Sequence, residues 1–209
     1  MADTALGGDT EDASSEPTET WGQAIAGSAI LHTLLAMVAV SGIGWALGGD
    51  GANPFVLAAP LAVEPWTILT SVYAHASPGH LLGNALVILT AGTVVAYATT
   101  TLRFHAFVVL TGTIAGVSQI FLAGAFGWDV GVLGISGAGF ALIGYLLAGN
   151  RVTNTLLGGR VSARTGAVLV ALVAGGLTIF LSGTRAALAA HFVGAALGLL
   201  AGYYRVLAT

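Results

Sequence analysis

The stretch SGAGFALIGYLLAG, residues 136–149, decides how the rest of the chain is read. It is apolar and carries no charge. At 1.5 Å per residue it reaches about 21 Å as a helix, short of a hydrocarbon core of about 30 Å. A helix of that length begins below the membrane surface. The segment before it, Gly124 to Gly134, is rich in glycine. Non-helical backbone at such depth is tolerated only where it is buried in protein or lines a watery cavity. Together they predict a water-filled indentation with Ser136 at its floor.

Outward from this segment lie five longer apolar runs, near 23–47, 80–98, 104–123, 166–182 and 186–204. A run of about 20 apolar residues spans a bilayer as a helix. The expected fold is therefore all-α: a polytopic membrane protein, with six transmembrane helices bundled in one domain over 22–209. Composition points the same way. The 209 residues are 56% hydrophobic and 7% charged, with a mean hydropathy of +0.91. Soluble domains carry roughly 25% charged residues, so this chain could not cover a water-facing surface.

Six of the nine acids, Asp3, Asp9, Glu11, Asp12, Glu16 and Glu19, crowd the start of the chain. Residues 1–21 read as a disordered acidic tail, and they lack the basic region of a secretory signal. The six basic residues are all arginines. That bias, with the acidic tail and much Ala, Gly, Thr and Val, suits a high-salt organism such as a halophilic archaeon. With six spans, the tail, the 99–103 turn, the 150–165 loop and the C-terminus share one side. That side holds Arg103, Arg151, Arg160, Arg164 and Arg205, against Arg185 alone on the other. Positive charge stays in the cytoplasm, which predicts cytoplasmic termini and external 48–79 and 124–135 loops.

Polar groups inside a membrane are costly and point to function. Four stand out: His80, Asn84, Ser136 and His191. His80 and Asn84, at i and i+4, share one face of the second helix. Two stacked donors suit an oxyanion formed in acyl transfer; they equally suit an interhelical hydrogen-bonded pair. Ser136, in Gly134-Ile135-Ser136-Gly137, stands at a loop-to-helix junction. It is either an N-cap or a nucleophile whose helix end would stabilise a substrate oxyanion. His191 follows Arg185 by six residues and lies about 9 Å deep if its helix starts there. Gly194 and Gly198 form a small-xxx-small pair that would carry it against the fourth helix. A neutral imidazole within reach of a serine can act as its base.

In this order and on these spans, Trp66, His75, His80-Leu81-Leu82-Gly83-Asn84, Gly134-Ile135-Ser136-Gly137 and His191 with Gly194 and Gly198 resemble the rhomboid intramembrane serine proteases of the prokaryotic six-span type. The resemblance covers residues 22 to 205. It implies that Ser136 is the nucleophile and His191 the base. It further implies an oxyanion hole formed by His80, Asn84 and the Ser136 backbone N–H, with no cofactor. Phe140 sits where the family often has an aromatic packed on the catalytic histidine. The first external loop, with Trp66 and His75, would brace the fold. The fifth helix and the loop over the site would gate substrate access. The implied partners are single-span membrane proteins with a helix-weakening segment and a small residue at the cut, met in the bilayer of the cell membrane. The chain departs from the family at Thr67, where Arg is frequent, and at Ala141, where some members have Gly.

Two rival functions are a catalytically silent rhomboid-like scaffold that binds membrane clients and a small transporter. The first would lack the nucleophile or base, and the second would show paired acids or inverted repeats. The acids beyond the tail, Asp50, Glu64 and Asp129, all fall in external loops. Without cysteine there is no thiol nucleophile and no Cys-ligated metal. His-Glu-x-x-His is absent, so no metal is expected. No basic patch supports nucleic-acid binding. His105 lies near the cytoplasmic end of span three, His32 has no evident partner, and Ser118 and Ser182 read as hydroxyls outside the site.

Overall fold

The computed structural model describes residues 28–48, 53–149, 163–183 and 187–208. The acidic tail, Arg151, Arg160 and Arg185 lie outside the described residues. Among the described residues there are six apolar helices: α1 Ala29–Leu47, α2 Pro78–Ala96, α3 Thr101–Ala125, α4 Ser136–Gly149, α5 Ala163–Leu181 and α6 Leu188–Tyr203. The first three are long and apolar enough to cross a membrane, while the apolar stretches of the last three, Ser136–Gly149, Val168–Leu181 and Leu188–Tyr203, are shorter. Among the described residues there is no strand, only an isolated antiparallel bridge between Leu57 and Val132. That bridge ties the first long loop to the glycine-rich segment before α4.

Local chemistry starts the helices. Ser28, Ser77 and Thr100 cap α1, α2 and α3, each side chain accepting from the N–H three residues on; this satisfies donors a helix start leaves unpaired. Pro78 opens α2, where a missing N–H costs nothing. Within α2, Ile88–Gly92 forms a wide π turn just past Asn84.

The helices present apolar side chains outward. Leu35 and Val38 of α1, Leu82 and Leu86 of α2, Leu110 and Phe121 of α3, and Ile179 and Phe180 of α5 are all exposed. In water such surface would drive association; in lipid it is matched to its solvent. Exposed Trp45, Trp66 and Trp128 gather toward one end of the helices and Tyr97, Tyr203 and Tyr204 toward the other, as expected of interfacial belts. The molecule is thus a multi-pass membrane protein.

α4 is the axis. Residues 137–142, with Gly144, Tyr145 and Ala148, are buried. α6 packs along α4 most closely, and α3 borders both. A Cβ added to Gly194 would overlap the Gly137 carbonyl oxygen, one on Gly198 that of Ala141, and one on Gly202 that of Tyr145. Glycine permits this backbone-on-backbone approach at successive turns. α5 leans on this pair through Val170, Ala174 and Leu177, against Phe140, Ala148, Ala195 and Leu199. Arg103 Nη1 donates to the Ala208 carbonyl at 3.1 Å, which joins the start of α3 to the segment after α6.

Candidate active site

Ser136 is the first residue of α4. The chain reaches it through Gly134, whose φ of 115° lies in the region that favours glycine. The Gly134 N–H donates to the Ser71 carbonyl at 2.8 Å. A Cβ at Gly134 would stand 2.9 Å from His80 Cε1 and 3.0 Å from His80 Nε2. The position therefore needs glycine twice, for its backbone angle and for its neighbour. Beyond it, the first-turn N–H groups of α4 have no partner within their helix and mark its positive end.

His191 sits in the first turn of α6. This helix has Ala187 at its N-cap and no capping bond from it. Its start is held instead by Gln119 of α3, whose Oε1 accepts from the Ala189 N–H at 3.0 Å and the Ala190 N–H at 3.3 Å. With α6 pressed onto α4, His191 Nε2 and Ser136 Oγ are hydrogen-bonded at 2.9 Å. His191 is 7% exposed. Phe140 stacks flat on it. Its other nitrogen, Nδ1, is hydrogen-bonded to Ser182 Oγ at 2.6 Å, at the end of α5. Such a site can move a proton from a hydroxyl to an imidazole with water largely excluded.

His80 and Asn84 border Gly134, two residues before the serine. Asn84 is buried, and its Nδ2 has no hydrogen-bond partner among the described residues. A buried amide donor without a partner is costly and suits a group that meets an anion only during reaction. His75 backs His80, with ring centroids 5.1 Å apart in an edge-on arrangement. Its Nδ1 lies 3.0 Å from both Ser41 Oγ and the Tyr73 carbonyl oxygen. Burial, and then the charge of His80, push the His75 imidazole from 6.5 down to about 4. Trp45 Nε1 donates to the His75 carbonyl at 2.7 Å; α1 thereby anchors the long loop.

The structure joins Ser136 to His191 directly and sets His80 and Asn84 against the turn that leads into Ser136. Trp66 Nε1 donates to the Pro54 carbonyl at 3.2 Å. Thr67, where the family frequently has Arg, is buried and donates from Oγ1 to the Glu64 carbonyl at 2.6 Å; the loop braces itself here without a charge. His32 stacks on His105 with centroids 5.8 Å apart, a pairing not visible in the sequence. Two further residues were missed as parts of the site. Gln119 carried a signal, a lone amide in an apolar span. Ser182 carried only the weak signal of a hydroxyl at a span end.

These features define a class: a helical, multi-pass membrane protein with a serine and a histidine bonded between two closely packed helices. The chain matches the Rhomboid domain over residues 62–208 and belongs to the rhomboid family. That family generally comprises serine hydrolases acting on membrane proteins within the bilayer, and it includes inactive members. Compared with curated proteins, the chain matches none.

Proposed function

We propose that the protein is an intramembrane serine endopeptidase, hydrolysing peptide bonds in or near transmembrane segments of membrane proteins through a Ser136–His191 dyad. The observation that carries this reading is the 2.9 Å hydrogen bond between Ser136 Oγ and His191 Nε2 in a chain of this family. Ser136 Oγ attacks the scissile carbonyl carbon while its proton passes to Nε2. The carbonyl electron pair moves to oxygen, which takes hydrogen bonds from His80, Asn84 and the Ser136 N–H. The C–N bond then breaks, and Nε2–H protonates the leaving amine. Water, deprotonated by the same nitrogen, releases the acyl group and restores Ser136. The chemistry calls for no metal or cofactor.

The substrates in this reading are single-span proteins whose helix is weak near a small residue at the cut. The six helices cross the cell membrane as six spans with both termini cytoplasmic, as the arginine distribution favours. The test is purified protein with a panel of single-span substrates. Wild type cleaves, whereas Ser136→Ala and His191→Ala each lose nearly the whole rate, because such residues act as a unit. A fluorophosphonate labels Ser136 and not Ser118, whose hydroxyl is bonded to the Ile114 carbonyl. Labelling at the wild-type rate in folded His191→Ala would return Ser136 to a capping role. Wild type that binds clients without cutting or labelling would be the silent scaffold.

A further inference from the structure

We propose that Ser182 is a positioning residue for the base, fixing the tautomer of His191 in place of a third, acidic member. The inference rests on the Ser136–His191 dyad and extends it. A neutral imidazole carries one proton, and its other nitrogen accepts. Ser136 can give its proton to Nε2 only when Nε2 is bare, so the productive tautomer carries its proton on Nδ1. Ser182 Oγ stands 2.6 Å from that atom, where it accepts the Nδ1–H.

The bond gains strength during the reaction. As Ser136 Oγ bonds to the scissile carbon, its proton moves to Nε2 and the imidazole becomes a cation with a proton on each nitrogen. The Nδ1–H···Oγ bond is then charge-assisted. A carboxylate serves this purpose in a soluble triad. Here no acid occurs after Asp129, and His191 is buried. A buried carboxylate would carry a large desolvation cost, whereas a serine hydroxyl offers the same acceptor without a charge. Three contacts then define the ring: Ser136 on Nε2, Ser182 on Nδ1 and Phe140 on its face.

The test uses the full chain and a single-span substrate. Ser182→Ala lowers kcat about 10- to 100-fold, the range for a hydrogen bond to a charged group, with KM and thermal midpoint near wild type. Ser182→Thr, which keeps the hydroxyl, recovers most of the rate. Nitrogen-15 shifts of His191 show Nδ1 protonated and Nε2 bare in wild type, and this preference weakens in Ser182→Ala. Wild-type kcat in Ser182→Ala, with Ser136→Ala inactive, overturns the role of Ser182 and leaves the dyad standing. Cleavage by Ser136→Ala at the wild-type rate overturns the dyad itself. If Ser182→Ala does not fold, the wild-type tautomer decides, and a proton on Nε2 with bare Nδ1 overturns the proposal.

Discussion

The ring of Phe140 lies flat on the imidazole of His191, with centroids 4.3 Å apart and planes inclined by 14°. Both side chains are buried. A stacked aromatic pair contributes about 0.5–1.5 kcal/mol beyond its area. Phe140→Leu keeps an apolar group there and loses the flat face. Its kcat is expected to fall about 2- to 12-fold, with KM little changed in steady-state assays. An unchanged kcat would mean that hydrogen bonds alone orient the base.

Gly194 faces the Gly137 carbonyl with no room for a side chain. Gly194→Leu must push α6 off α4 and draw His191 away from Ser136. Overpacking costs about 1–3 kcal/mol, and backbone on the receiving side cannot yield as a side chain would. Both thermal midpoint and cleavage rate are expected to drop. A Leu variant matching wild type in both would place that face of α6 elsewhere than against α4.

His80→Ala and Asn84→Ala test the oxyanion hole. Each donor is expected to contribute about 2.7–4 kcal/mol to the transition state, or 10²- to 10³-fold in kcat. Ser136 should still react with a fluorophosphonate in both, since the base is untouched. Asn84→Ala also removes a buried donor that has no partner among the described residues, so its thermal midpoint should hold or rise. Unchanged kcat in both variants would assign the pair to helix packing.

His75 makes stability depend on acid. Its imidazole is held neutral down to about pH 4 in the fold, against an ordinary value of 6.5. Between these values the unfolded chain binds more protons than the folded one. The stability is therefore complete above pH 6.5 and is lost as the pH falls toward 4. Thermal midpoints in detergent should decline across that window, and more gently in His75→Gln. Equal slopes in the two proteins would assign the loss to other groups.

Topology can be checked by labelling. Arg103 and Ala208 are hydrogen-bonded, which sets the start of α3 beside the segment after α6, and the proposed orientation puts this end in the cytoplasm because positive charge favours that side. Cysteines at Ser14 and Ala76 should react from opposite sides of sealed membranes. Ala76 is chosen rather than its neighbour Ser77, whose side chain caps α2. Reaction of both from one side would contradict the six-span arrangement.

The helices themselves were legible in the sequence, and for a physical reason. In lipid a backbone must satisfy its own hydrogen bonds, so a long apolar run has little choice but to form a helix. The run at 136–149 became α4 over the same residues. The i, i+4 spacing of His80 and Asn84 needed no tertiary information to predict a shared face. Gly194 and Gly198 signalled a close approach without naming the residues approached. What only the tertiary structure decided are the contacts between distant segments. Gln119 caps a helix that starts 69 residues further on. Ser41 reaches His75, His32 stacks on His105, and Ser182 meets the far nitrogen of His191. Local periodicity says which face of a helix is polar or small, but not which residues meet that face. That choice comes from packing all the helices at once, and it alone turned Ser182, read from the sequence as a hydroxyl outside the site, into the neighbour of the base.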